Sequence, residues 1–388
     1  METTKIIIQR VTIYSFKNIS NLVITLEDGE NLKIEGENGL GKSNILNAIY
    51  WCFNGKDLSG CSDQSQFIPN HDKDKKVDVE VITNIGKIER IIETDAKGTV
   101  NQTVMIDDTV YTLKDYDIEI DKRFGLLPFT LNNLSNKDFN LREFLMNPTY
   151  MHRLTPKALR DVFAKAYSLS LSGNENYDTP VFNPLFINLL KDRGYKVEEI
   201  KNFYEPIETI AANLEIQKKE LKKQLDDDKI VSSFLAQFGN VPEDIKSKLD
   251  YIDNECKTSL ALVEENLMVL ESGRQTWNEY LEQHQNFGSI DVKFQTITAK
   301  GIKKNAIALQ DFGIDLDHVS TSENMVDSFV VAWMYKKAVG CHCDLPVFVD
   351  RAESVNSYKL GYFDEENQLL YTKVTTHRNI RINGLEVK

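Results

Sequence analysis

The chain has 388 residues, enough for two or three lobes or one large composite domain, each with a core of its own. Hydrophobic residues make up 41% and charged residues 27%, an ordinary globular balance, and no apolar run approaches the roughly 20 residues that span a bilayer. The formal net charge of −13 argues against a globally basic nucleic-acid binder.

The first 35 residues read as β structure. KIIIQRVTIYSF and LVITL alternate, EDGE is a turn, and NLKIE is a short strand. The start lacks the long apolar core of a signal peptide, so none is expected. GENGLGKSNILNAIYWCF follows, a glycine-rich start feeding a helix with Ile45, Ala48, Ile49, Cys52 and Phe53 on one face. More β is predicted in VDVEVI, GKIERIIE, TVMIDDTVYTL and YDIEI, and a helix in PKALRDVFAKAYSL.

Between about 200 and 285, glycine and proline nearly vanish and apolar residues recur at steps of three and four. The first series is Ile207, Ile210, Leu214, Leu221 and Leu225. The second, stronger one runs Ile245, Leu249, Ile252, Cys256, Leu260, Val263, Leu267, Leu270, Trp277 and Leu281. Such spacing predicts an amphipathic seam of coiled-coil type. Gly239 and Pro242 break it, so two long helices form either an antiparallel hairpin or a bundle packed on the body. A helix over 245–281 would be about 55 Å long. Basic stretches at 218–223 and 300–304 are candidate contact patches, although such runs are more often solvated faces.

After 290, a strand in DVKFQTI, a helix in ENMVDSFVVAWMYKKAV and the strand LPVFVD are expected, with QLLYTKVTT and RNIRING at the end. The order is α/β lobe (1–175), helical insertion (176–290) and α/β lobe (291–388). The five cysteines, Cys52, Cys61, Cys256, Cys341 and Cys343, are scattered and odd in number, which suits a reducing cytoplasm better than a disulfide framework. CHC at 341–343 has the wrong spacing for a zinc knuckle.

GENGLGKS matches the phosphate-binding pattern G-x-x-x-x-G-K-[S/T] at Gly36, Gly41, Lys42 and Ser43, with Glu37, Asn38, Gly39 and Leu40 inside the loop and Asn44 after it. Its glycines let consecutive backbone N–H groups curl around phosphate oxygens, Lys42 neutralises them, and the Ser43 hydroxyl suits a Mg²⁺ shell. Such a site needs a second carboxylate at the end of a neighbouring strand. Asp350, after Val347-Phe348-Val349, is the candidate; its other reading is a strand-ending cap.

This layout resembles the ATPase heads of the SMC, Rad50, RecF and RecN group, in particular compact phage-encoded members. The resemblance is carried by residues 10–55, by HVSTSENMVDSFVVAWM, where Val319 to Glu323 is similar to a Leu-Ser-Gly-Gly-Glu signature, by LPVFVDRAESV and by QLLYTKVTTH. It implies an α/β, ABC-type P-loop ATPase head built from N- and C-terminal lobes, with an inserted antiparallel coiled-coil hairpin. It implies ATP and Mg²⁺ as cofactors and an ATP-dependent homodimer in which Ser320 and Ser322 of one subunit meet the nucleotide of the other. It implies a role in DNA replication, recombination or repair, in the cytoplasm, or in the host cytoplasm for a phage protein. Through it His377 corresponds to a γ-phosphate-reading histidine and Lys17 to a basic residue near the phosphates, His377 also having the reading of a surface histidine.

The sequence departs from that pattern at two points. Thr321 and Ser322 stand where the signature has glycines, and Arg351 stands where a catalytic glutamate usually follows the aspartate. Glu353 is the nearest substitute base, if the turn swings it back. Two functions remain: a slow Mg²⁺-dependent ATPase head acting on DNA, or a nucleotide-gated module that presents its hairpin to a protein partner such as a nuclease or a replication factor.

Overall fold

The computed structural model describes residues 4–69, 76–95, 97–127, 139–155, 158–159, 162–163, 180–200, 202–237, 242–284, 290–297, 303–311, 314–315, 321–355, 360–361, 363 and 367–387. The chain divides into two compact units, one of Met1–Val162, Phe287–Asp291 and Ala308–Lys388, the other of Phe163–Asn286 and Val292–Ile307.

The first unit contains an antiparallel six-stranded sheet in the order Ile19–Thr25, Ile8–Phe16, Lys76–Thr83, Gly86–Thr94, Val100–Ile106, Thr109–Tyr111. Strict alternation builds it: Val77, Val79 and Val81 are fully buried while their neighbours are half-exposed. Its buried face packs on the helix Lys42–Asn54, whose Tyr50, Trp51, Cys52 and Phe53 are all inaccessible. That helix stops at Gly55, which takes the left-handed conformation at φ 68° and returns its N–H to Trp51 O at 2.8 Å. The Cys52 carbonyl near the end accepts from Tyr116 Oη at 2.7 Å and Arg90 Nε at 3.1 Å.

A second, five-stranded sheet has the order Val347–Val349, Leu369–Val374, Leu32–Gly36, Arg381–Ile382, Leu385–Glu386. The first three strands are parallel, with Val349 opposite Tyr371 and Val374 opposite Gly36. Val347, Phe348 and Val349 are all buried, the pattern of a strand covered on both faces. The carboxyl ends of these three strands therefore lie side by side, the usual place for a ligand in a parallel sheet. Gln368 ties the two sheets together: it accepts from Ile8 N at 2.7 Å and donates to Ile8 O at 2.9 Å and Glu30 O at 2.7 Å.

YDIEI is not a strand. It lies in the helix Leu113–Arg123. Thr112 caps that helix by accepting from Asp115 N, and Tyr116 and Ile120, one turn apart, form its buried face. Alternation and helical spacing coincide over so short a stretch, and the cap decides. PKALRDVFAKAYSL lies largely outside the described residues, with 158–159 and 162–163 helical.

The second unit holds the long helices Tyr204–Ala236 and Glu243–His284. They run antiparallel, since Lys218 meets Glu264 at 3.2 Å while Arg274 meets Glu208 at 2.8 Å. Ile207, Ile210, Leu214 and Leu225 on one helix and Cys256, Val263, Leu270, Trp277 and Leu281 on the other are buried, as the spacing predicts. Ile245 and Ile252, expected in the seam, are each 40% exposed. The facing helix carries Ile230, Val231 and Phe234 at that end, and these are exposed as well, so the two apolar rows do not bury each other there. Phe182, Phe186 and Phe203 cluster with Trp277 at the other end of the pair. Among the described residues no helix is long and apolar enough to cross a membrane.

Candidate functional site

The loop Gly36–Ser43 joins Leu32–Gly36, the central strand of the five-stranded sheet, to the helix Lys42–Asn54. Gly36, Gly39 and Gly41 have φ of 153°, 83° and 97°, a region that side chains disfavour. Gly41 has a second constraint, because a Cβ there would stand 2.5 Å from Asn18 Nδ2. Asn18 in turn accepts from Asn44 Nδ2 at 2.6 Å. Gly41 occupies the helix N-cap and no side chain caps that end. Among the described residues, the backbone N–H groups of Asn38 through Ser43 donate to no protein acceptor. Consecutive unpaired amides at a helix N-terminus form an anion cradle.

Lys42 is buried, and its ammonium donates to the carbonyls of Gly36 at 2.8 Å and Glu37 at 2.7 Å. Among the described residues this buried cation finds only its own loop's carbonyls, which hold it at the cradle without a neutralising anion. Ser43 Oγ donates to Asp350 Oδ1 at 2.9 Å. Thr372 Oγ1, on the intervening strand, donates to the same oxygen at 2.6 Å. Two hydroxyls thus orient Asp350 and engage one of its oxygens, leaving the other for a cation.

Arg351 turns the chain with φ 60° and ψ 48°, and one turn of 3₁₀ helix follows over Ala352–Ser354. Its N–H donates to Thr372 Oγ1 at 2.8 Å. The turn brings Glu353 back to the sheet, where Oε2 accepts from Val374 N at 3.2 Å. A cavity of about 760 Å³ is lined by Asn18, by the loop residues 38–39 and 41–44, and by Arg351, Glu353, Thr372 and Val374. The structure thus brings Asn38, Gly39, Gly41, Lys42, Ser43, Asn44 and Glu353 to one cavity, with Asp350 bonded to Ser43 at its wall.

Other expected residues lie elsewhere. Lys17 pairs with Asp57 at 3.6 Å and sits 5.2 Å from the centre of the Phe67 ring; its neighbour Asn18 faces the cavity instead. His377 is fastened to the loop through its backbone, accepting from Glu37 N at 2.8 Å, and its ring is not among the lining groups. Ser320 lies outside the described residues, and Ser322 is in the first turn of the helix Thr321–Ala338. Nothing in the sequence marks Asn18 or Thr372. An asparagine in a turn and a threonine in an alternating strand carry no local mark of such roles.

The groups present fit a polyphosphate with a divalent cation: an amide cradle, a buried lysine beside it, and a hydroxyl with a carboxylate. No protein-family model and no curated protein matches the sequence. Its structural neighbours are RecF and SMC head domains. The recombination mediator RecF bound to ATP is similar at 12% identity over 96% of this chain and 93% of that one, with a TM-score of 0.41. The Smc head domain of Pyrococcus furiosus with an extended coiled coil, bound to the C-terminal domain of ScpA, is similar at 14% identity over 95% and 90%, with a TM-score of 0.41. The SMC head domain of Thermotoga maritima is similar at 12% identity over 98% and 99%, with a TM-score of 0.38.

Proposed function

We propose that the chain is a Mg-ATP-binding head that hydrolyses ATP slowly. The observation that carries this reading is the row of unpaired amides from Asn38 to Ser43, closed by Lys42 and by the Ser43–Asp350 contact. The amides and Lys42 bind the phosphates. Ser43 and Asp350 hold Mg²⁺, which neutralises charge on the transferring phosphoryl group. Glu353 orients the attacking water, since its carboxylate lies on the cavity wall beside the loop. The resemblance in sequence extends the reading to heads that dimerise on ATP, with Ser320 and Ser322 of one subunit meeting the nucleotide of the other and His377 reading its γ-phosphate. On that reading the dimer acts on DNA in replication, recombination or repair.

The deciding experiment is titration of Mg-ATP into wild type and Lys42→Ala, with phosphate release measured with and without DNA. Loss of binding in Lys42→Ala and DNA-stimulated release in wild type are the expected results. Unchanged affinity in Lys42→Ala refutes the reading.

A second reading is favoured by Arg351, which puts a cation directly after Asp350. Here ATP gates a protein-interaction module with no turnover, and the helix pair meets a protein partner. ATP-dependent dimers with neither phosphate release nor DNA binding are its signature.

A further inference from the structure

Arg351 is the lining residue that a bare ATP site does not require. Its left-handed backbone, φ 60° and ψ 48°, costs about 1 kcal/mol in a residue with a side chain. Strain of that kind persists where the surroundings over-determine it. Here the clamp is Thr372, 2% exposed, whose hydroxyl accepts the Arg351 N–H and donates to Asp350. One buried hydroxyl therefore fixes the Asp350 carboxylate and the turn that sends Arg351 to the cavity wall.

The guanidinium there is uncommitted. Lys42 is taken up by two loop carbonyls and Lys17 by Asp57. Among the described residues no carboxylate lies within ion-pair distance of Arg351, and its side chain donates no hydrogen bond. A planar guanidinium offers a two-pronged donor that matches phosphate, and it stands next to Asp350 rather than within the loop that cradles the inner phosphates.

We propose that Arg351 binds the terminal phosphate of the nucleotide within its own chain, so that a single head distinguishes a nucleoside triphosphate from a diphosphate. The inference rests on the nucleotide-binding reading above. It gives the Asp350-Arg351 step a function: the cation reads the triphosphate, and the carboxylate directly after Asp350 in the related pattern is moved to Glu353.

The test is equilibrium titration of Mg-ADP and a non-hydrolysable Mg-ATP analogue against wild type, Arg351→Ala, Arg351→Gly, Arg351→Lys and Lys42→Ala. Arg351→Ala and Arg351→Gly are expected to weaken the triphosphate about tenfold or more and to change ADP by less than about twofold. Arg351→Lys recovers part of the loss, because it keeps the charge but not the fork. Glycine suits the left-handed turn without strain, so a defect present in the alanine variant and absent in the glycine variant belongs to the turn and overturns the proposal. Equal weakening of both nucleotides, or none, also overturns it while leaving nucleotide binding intact. Unchanged affinities in Lys42→Ala instead refute the nucleotide reading itself, and the proposal with it.

Discussion

Ser43 donates its hydroxyl proton to Asp350 Oδ1 at 2.9 Å, joining a loop near the start of the chain to a strand end 307 residues later. Neither residue makes a cation site alone. A hydroxyl is a weak ligand, and one carboxylate on a strand end is a common cap. The parallel register, with Val374 opposite Gly36 and Val349 opposite Tyr371, is what brings them together.

On the proposed reading the two residues share one Mg²⁺ and are interdependent. Ser43→Ala and Asp350→Asn should each weaken ATP about tenfold in Mg²⁺, and the double variant should lose less than the sum, because the groups act through one ion. In EDTA the differences between variants should shrink. Fluorescent-nucleotide titrations in the two buffers check this, and additive losses that persist without metal would contradict it.

Glu353 offers a sharper separation of binding from chemistry. Glu353→Gln keeps the shape and the acceptor for Val374 N but removes the carboxylate proposed as the base. Phosphate release should fall by about a hundredfold or more with ATP affinity little changed. Wild-type turnover retained in this variant would remove Glu353 from the reaction.

The loop itself tolerates little. Gly41→Ala puts a Cβ 2.5 Å from Asn18 Nδ2 in a backbone at φ 97°. Asn18→Ala in the same background gives back the space but not the backbone freedom, so it should restore only part of the loss. The residual cost of the unfavourable φ is about 1 kcal/mol or more. Thermal melts of both variants measure it; full recovery would mean that the clash alone matters.

The thiols respond to burial. Desolvation pushes Cys52 and Cys343 well above the ordinary thiol range, and it raises Cys341 and Cys256 as well. A raised pKa leaves less thiolate at neutral pH, and the thiolate is the nucleophile. Cys61, the one half-buried cysteine of the five, should therefore react first with an aromatic disulfide reagent in the native protein. All five should react in denaturant. Rapid native labelling at Cys52, mapped by mass spectrometry, would count against the buried helix.

Much of the site could be read locally. The glycine spacing, Lys42 and the apolar run before Asp350 sit within a few residues of the chemistry they imply. Thr372 could not, since its strand alternates like any other and its role comes only from lying beside Asp350, 22 residues away. Glu353 needed the turn at Arg351, a left-handed backbone that an arginine does not advertise. The helix pair was legible from its period up to Leu225 and Cys256, but the same period in Ile245 and Ile252 did not predict burial, because a period marks an apolar face and not how closely two faces meet: Ile230, Val231 and Phe234 on the other helix are exposed at that end as well.

The helix pair also supplies a stability test in which two effects oppose each other. Gly273 lies inside the helix Glu243–His284, where glycine is disfavoured by about 1 kcal/mol relative to alanine. On propensity alone Gly273→Ala should stabilise. A Cβ at that position would stand 2.2 Å from Cδ2 of Phe186, a ring that is fully buried and packed 4.8 Å from Phe182. That ring has no exposed direction to swing into, and overpacking of this kind costs about 1–3 kcal/mol. Packing should win, so Gly273→Ala should lower the melting temperature. Phe186→Leu, destabilising alone, should relieve the clash when combined with it, leaving the double variant more stable than the two single losses predict. Simple additivity in the melting data would show that the helices part easily here and that the close approach of Phe186 to Gly273 is not a constraint on the fold.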